Sequence, residues 1–544
     1  MKTAKLVPVN RVRIVMENDA SAVMKTIAAL LARQLTERGP VEVVFAGDAP
    51  LTVELTLASG IGADGFLIED RPGGGVRIAG DGERGVLYGV GKFLRTSRGD
   101  QGNVTAGTWR GTSVPEKPVR GIYLATHFHN FYHDAPVEEV QHYVEDLGLW
   151  GFNVLAVWND MHHFNGFDDP EAVAYRTRLH AICSAARRIG LDVAFFALAN
   201  EAYNNSPTAL RADPSARRGG WYDCTVCPSV PGGKAYILNL IGQLFDWAAD
   251  LHPRYLAIWP YDQGGCGCAA CQPWGNNGFL KLAESVADLA RRKLADCRLI
   301  LSTWFFNEAE RQGLDQAFAA EKPFVDYILA EGTKRPTPGG LPMVGFPEIS
   351  MHETFPWGGF GATPLTGRAQ RQWDDVKHLS AGGFPYSEGI YEDLTKAVYS
   401  QFYWSGRPAV ETVREYIAFE FAPAAVEPVL QVVETLERNH HMRWWPGKLD
   451  GVVLPLNWFP SRNAAPREDA GAEAAYATLQ RVDAQLTPQA RHSWRWRQLY
   501  LRALLDAELK LNGGKPNATC NRTFAELITL YHAQRAEPCV RPPL

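Results

Sequence analysis

From Val119 onward the chain repeats one unit: a short apolar run, then a longer stretch with helical spacing. "VRGIYLATH" is followed by "PVEEVQHYVEDLGLWG", "FNVLAVWND" by "PEAVAYRTRLHAICSAARRIG", and "LDVAFFALANE", after a long loop, by "KAYILNLIGQLFDWAADL". "RYLAIWPYD" precedes "GFLKLAESVADLARRKLAD", and "RLILSTWFFNE", "FVDYILAEG", "PMVGFPEIS" and "GGFPYSEG" continue the series. Runs that are apolar throughout read as strands covered on both faces, and strands alternating with amphipathic helices make parallel β/α units. About eight such units between residues 118 and 405 predict a closed (β/α)8 TIM barrel. An open doubly wound sheet would want a Gly-rich nucleotide loop after its first strand. "YLATHFHNFYHD" offers none.

The flanks read differently. Residues 1–115 mix strand-like runs ("RVRIVME", "VEVVFAG") with one clear helix ending on Gly39, a hairpin across Pro72 to Gly75, and the Gly-rich helix entry "GERGVLYGVGKFLR". This predicts an N-terminal α/β sandwich domain. Residues 406–544 show helical periodicity almost throughout and predict a C-terminal helical domain. Its apolar helices could bury a homo-oligomer interface or pack on the barrel. A chain of 544 residues accommodates several domains.

A formal charge of -5 argues against a nucleic-acid partner, which usually needs a basic face. No window approaches the length of a membrane span, and the N-terminus lacks an apolar core with a cleavage site. A cytoplasmic protein is expected, in which nine cysteines are not a disulfide framework. Sixteen Trp lean toward sugar stacking.

Barrel chemistry sits where the strands end. Those positions carry His127 and His129; Trp158, Asn159 and Asp160; Asn200, Glu201 and Tyr203; Trp259, Tyr261 and Asp262; Trp304, Asn307, Glu308 and Glu310; Glu331; Glu348 and Glu353; and Tyr386, Glu388, Tyr391, Glu392 and Asp393. Alternating carboxylates and aromatics suit glycoside hydrolysis: one acid protonates the leaving oxygen, and a second serves the anomeric carbon or its water. The competing explanation for any single acid is helix capping, and Asp393 is expected to open the last barrel helix. Asp262, Glu201, Glu308, Glu348 and Glu388 are the catalytic candidates. His127, His129, Trp158, Asn159, Asn200, Trp259, Tyr261, Trp304, Trp357 and Tyr386 are the substrate-binding candidates. No cofactor is expected for catalysis. His127, His129 and His133 have a ligand-like spacing, so a zinc-dependent hydrolase is one alternative, and a non-catalytic carbohydrate-binding protein is another.

"YDCTVCPSVP" and "GCGCAACQ" place Cys224, Cys227, Cys266, Cys268 and Cys271 in loops after adjacent strands. Four thiolates from two such knuckles would make a closed structural zinc site, pinning the loop beside Asp262.

In its order of parts, and in "LYGVGKFLR" and the strand-four acid, the chain resembles the α-glucuronidases and the β-N-acetylhexosaminidases. The resemblance implies an N-terminal domain ahead of the barrel and a general acid after the fourth strand, where Asp262 stands. Hexosaminidases of that type place an Asp-Glu pair there, and this chain has Asp262-Gln263. Asp262 is then either the acid itself or the polariser of an acetamido group, with Glu201 or Glu308 as acid. The α-glucuronidases imply an inverting pair with a base from a later strand, comparable to Glu348 or Glu388. The strand ends carry no basic residue for a uronate carboxylate. The expectation is therefore an exo-acting hydrolase of oligosaccharides, favouring a β-N-acetylhexosaminide over an α-glucuronide.

Overall fold

The computed structural model describes residues 8–530 and residue 532, apart from 40, 101–102, 128–129, 219–220, 295, 331–336, 351–361, 440–447, 450–451, 454–470 and 514–516. Eight parallel strands close into a barrel: Val119–Leu124, Val154–Trp158, Asp192–Leu198, Tyr255–Trp259, Arg298–Ser302, Tyr327–Leu329, Met343–Gly345 and Ser380–Gly383. Each pairs with the next, and the last returns to the first with Gly382 opposite Val119. A glycine is needed at that seam. Gly382 has φ +119°, and a Cβ there would lie 1.7 Å from the Val119 carbonyl oxygen. The short strand Tyr386–Ser387 pairs with Tyr123 and Leu124 and extends the eighth strand toward the mouth. Tyr123, Ala156, Phe196, Ala257, Ile300, Val344 and Phe384 fill the interior as one apolar cluster. Each of the eight apolar runs read from sequence contributes one of these strands.

Ahead of the barrel lies a six-stranded sheet with the hairpin Phe66–Asp70 and Val76–Gly80. The "LYGVGKFLR" stretch belongs to helix Glu83–Thr96. Its glycines allow close contact with the sheet on one side and the barrel on the other. A Cβ on Gly89 would meet Ile78 at 2.5 Å, and one on Gly91 would lie 1.9 Å from the Leu149 carbonyl. The Tyr88 hydroxyl donates to the Phe152 carbonyl at 3.0 Å, so the helix is bonded to the turn before the second barrel strand.

After the barrel, helices Ala409–Glu420, Val426–Asn439, Gly471–Asp483, Trp494–Leu511 and Ala518–Leu530 pack together. A second core joins most of them to barrel helices Thr366–Val376 and Asp393–Ser405. Arg495 is buried at this junction and bonds Asp146 at 2.8 Å and Asp393 at 2.9 Å. Asp393 does open the last barrel helix, and its carboxylate serves this junction. Among the described residues, no helix is long and apolar enough to cross a membrane.

Candidate active site at the mouth of the barrel

The strand ends carry an aromatic floor. Trp259 packs against Trp304 at 5.5 Å and Phe346 at 5.1 Å, and Phe346 against Tyr386 at 5.7 Å. Tyr386 stacks on Tyr123 at 5.6 Å, and His127 lies 5.0 Å from Trp158. Trp304 and Tyr386 are half-buried, so part of each ring faces the mouth. Each of these two rings also bonds a carboxylate. Trp304 Nε1 donates to Asp262 Oδ2 at 3.2 Å, and the Tyr386 hydroxyl donates to Glu388 Oε1 at 2.6 Å.

Asp262 follows the fourth strand, and its backbone is unusual. Asp262 has φ +62° and Gln263 has φ +92°. Two consecutive non-glycine residues in this region cost about 1–3 kcal/mol each and persist only where neighbours impose them. The loop after the third strand does so. Asp262 N–H donates to the Arg218 carbonyl at 3.1 Å, Tyr222 N–H to the Gln263 carbonyl at 2.9 Å, and Trp221 bridges Gln263. The twist places Asp262, half-buried, beside Trp304.

Across the ring, the seventh and eighth strands supply Glu348 and Glu388. Both are buried, and Glu348 forms a parallel bridge with Tyr386. Burial pushes the Glu348 carboxyl well above the usual glutamate range, and the charge of Glu388 adds to the shift. The partial offsets are the Ser350 N–H at 2.7 Å and the positive charge of buried Arg368, whose Nη1 donates to the Glu348 carbonyl at 2.7 Å. Glu392 holds the Glu388 turn by accepting from Ser387 Oγ at 2.7 Å, Glu388 N at 3.0 Å and Gly389 N at 3.1 Å. Burial and the like charge of Glu388 both favour the protonated form of Glu348.

Other strand-end acids have different work. Glu201 Oε1 accepts from Met161 N at 3.0 Å, His162 N at 3.1 Å and His162 Nδ1 at 3.0 Å, and Oε2 accepts from Trp158 Nε1 at 3.2 Å. It organises the loop after the second strand. Glu308 is exposed at the first position of helix Glu308–Ala320, where it accepts from Gln312. Glu310, two residues on, is buried and accepts from the Tyr261 hydroxyl, Gly275 N, Asn307 N and Arg218. Spacing alone could not tell them apart, because the capping box Asn307–Glu310 turns one inward and the other outward.

The binding candidates also divide. Trp158, Trp259, Trp304, Tyr386 and His127 belong to the floor. Burial pushes the His127 ring down to about 3, against the pull of Asp160, so it is neutral. Asn159 is buried at the end of the second strand. Asn200 is buried, and its amide bonds the Val226 carbonyl and both the carbonyl and N–H of Gly265, tying two loops together. Tyr261 likewise points to Glu310, with the Arg218 guanidinium 4.3 Å over its ring. His129, Glu331, Glu353 and Trp357 lie outside the described residues. Among the described residues, no potential metal group includes His127 or His133; His133 stacks on Tyr175.

A cluster of two histidines and an aspartate lies beside Glu201. His162 and His163 both bond Asp160, at 3.0 and 2.6 Å, and His162 stacks on Tyr222 at 3.4 Å. Burial opposes charge on His162, but Asp160 and Glu201 outweigh it and raise the ring to about 9. The spacing Asp160-x-His162-His163 was the available signal. Of the cysteines, Cys227, Cys266, Cys268 and Cys271 come together, and Cys224 does not: its thiol donates to the Ala202 carbonyl at 3.0 Å.

This architecture is a TIM barrel with an N-terminal sheet domain and C-terminal helices, an arrangement found among glycoside hydrolases. A family 115 4-O-methyl-α-glucuronidase with specificity for decorated arabinogalactans matches with a TM-score of 0.60 at 10% identity, over 96% of this chain and 76% of that one. A family 89 glycoside hydrolase from Clostridium perfringens, in complex with its substrate GlcNAc-α-1,4-galactose, matches at 0.59 and 9%, over 94% and 64%. A family 20 exo-β-N-acetylglucosaminidase from Vibrio harveyi, in complex with N-acetylglucosamine, matches at 0.51 and 10%, over 79% and 75%. No protein-family model and no curated protein matches the sequence. At such identities the likeness is one of fold.

Proposed function

We propose that the protein is an exo-acting glycoside hydrolase. One observation carries this reading: an aromatic floor is bonded at one end to Asp262 and at the other to Glu388, next to a Glu348 whose carboxyl is driven toward its protonated form. Asp262 protonates the leaving oxygen or polarises an acetamido group. The Glu348–Glu388 pair shares one proton, which leaves one carboxylate for the anomeric carbon or its water. Trp304 and Tyr386 receive the sugar's C–H face.

The substrate class we favour is a β-N-acetylhexosaminide. Of the cations beside the mouth, Arg218 is engaged by Glu310 and His162 by Asp160 and Glu201, and Arg368 is buried and donates to the Glu348 backbone carbonyl. A mouth of acids with its nearby cations so engaged suits a neutral sugar better than a uronate. An α-glucuronide is the second reading, because the match to the glucuronidase spans 96% of the chain and that to the exo-β-N-acetylglucosaminidase 79%. A cytoplasmic setting belongs to the proposal, since the thiol cluster argued below needs reduced cysteines.

The test is a panel of aryl N-acetylglucosaminides, N-acetylgalactosaminides and glucuronides, each with poor and good leaving groups. Release from one sugar, with Asp262→Asn losing far more on the poor leaving group than on the good one, assigns Asp262 as the acid. Binding of oligosaccharides with no release from any of them would leave a carbohydrate-binding scaffold instead.

A further inference from the structure

We propose that Cys227, Cys266, Cys268 and Cys271 form a structural zinc site that clamps the loop after the third strand onto the loop after the fourth. One sulfur from each of the four lies within 4.8 Å of all the others. Cys227 Sγ is 3.7 Å from Cys268 Sγ and 3.6 Å from Cys271 Sγ. A tetrahedron of sulfurs with Zn–S bonds of about 2.3 Å has edges of about 3.8 Å. Disulfide sulfurs would stand at about 2.05 Å. Three of the four cysteines are buried and Cys268 is half-buried. The fold is built close around them: a Cβ on Gly233 would lie 2.0 Å from the Cys227 carbonyl, and one on Gly278 3.0 Å from Cys271 Cβ. These glycines open helices Gly233–Trp247 and Gly278–Lys293. Both helices therefore start beside the cluster, where their positive ends favour the net negative charge of a four-thiolate zinc. The ligand set is one cysteine from the first loop and three from the second. Cys224, three residues before Cys227 in a C-x2-C spacing, is not part of the group and donates to the Ala202 carbonyl instead.

The clamp has a consequence for Asp262. The loop that carries Cys227 also carries Arg218, Trp221 and Tyr222, which impose the left-handed backbone of Asp262 and Gln263. The metal would position Asp262 through these contacts without touching substrate. This part rests on the proposed function; the metal site does not.

The experiment uses the full chain purified under reducing conditions without added metal. Elemental analysis should find one zinc per chain, retained in Cys224→Ser and lost in Cys268→Ser. If Cys268→Ser does not fold, the wild-type chain decides. Exchange of its zinc for cobalt should give the visible absorption of a tetrahedral thiolate site, and chelation should expose four further reactive thiols. Iron in place of zinc, no metal, or loss of zinc in Cys224→Ser would overturn the site. For the positioning role, chelation should lower kcat of the wild type by about tenfold or more and leave the residual rate of Asp262→Asn unchanged. Equal losses in both would reduce the metal to a general structural part. A chain with zinc and no glycosidase activity would refute the function and leave the metal site standing.

Discussion

Glu201 and Glu310 on one side of the mouth, and Glu348 and Glu388 on the other, all follow barrel strands, and none is more than 8% exposed. Their surroundings differ in donors. Glu201 accepts four hydrogen bonds, and Glu310 accepts from two backbone N–H groups, a tyrosine and an arginine. Glu348 has the Ser350 N–H and a second carboxylate for a neighbour. A carboxylate whose oxygens are taken up by donors from several loops is committed to holding those loops. A carboxyl facing a like charge stays ready to exchange a proton. Burial marks neither role by itself; the balance of donors and like charges around the group separates them.

The largest effect that would break this contrast is on turnover. Asp262→Asn and Glu348→Gln should each lower kcat/KM by about 10²–10⁴-fold in chains that remain folded. A glycosidase that tolerated both changes would place its chemistry elsewhere. Glu310→Ala should do the reverse and act on the fold: it removes the buried acceptor of Tyr261, two backbone N–H groups and half-buried Arg218, at a cost of about 1–3 kcal/mol, read as a lowered Tm and easier proteolysis near residues 205–230.

A pH series sharpens the comparison further. The Glu348 carboxyl is raised in the folded chain, so the native state holds the proton more tightly than the unfolded one. Its favourable contribution is present below the ordinary glutamate value of 4.5 and is lost as pH climbs toward the raised value. The Tm of Glu348→Gln relative to wild type should therefore improve steadily from acid to neutral pH. A flat difference would mean that the carboxyl is not raised. The smallest effect is expected at Glu308, exposed on its helix. Glu308→Ala should change stability by about 0.5 kcal/mol or less and leave kcat/KM unaltered.

Much of the architecture was legible because burial leaves a one-dimensional trace. Eight apolar runs between amphipathic helices can scarcely be anything but a parallel barrel, and each became a strand. Asp262 was legible as a carboxylate just past the end of the fourth strand. The division of labour among the other acids was not. Glu308 and Glu310 differ by two positions on one helical turn, and only the capping box decides which faces the core. Asn200 and Tyr261 read as sugar ligands because amides and phenols at strand ends often are. Their partners, Gly265 and Glu310, come from other loops 49 or more residues away.

What the sequence alone determined is the set of elements and the supply of groups: strand and helix periodicity, carboxylates and rings at the strand ends, and cysteines in two neighbouring loops. Those features depend on local spacing, which the chain carries with it. What only the tertiary structure decided is pairing. It brought Cys227 to the three later cysteines and left Cys224 aside, placed Glu348 against Glu388, and used Arg218 and Tyr222 to hold Asp262 in its left-handed turn. The reason is physical. A pKa, a metal tetrahedron and a strained backbone are each set by groups within a few ångströms in space, and those groups come from loops that only the closed barrel brings together.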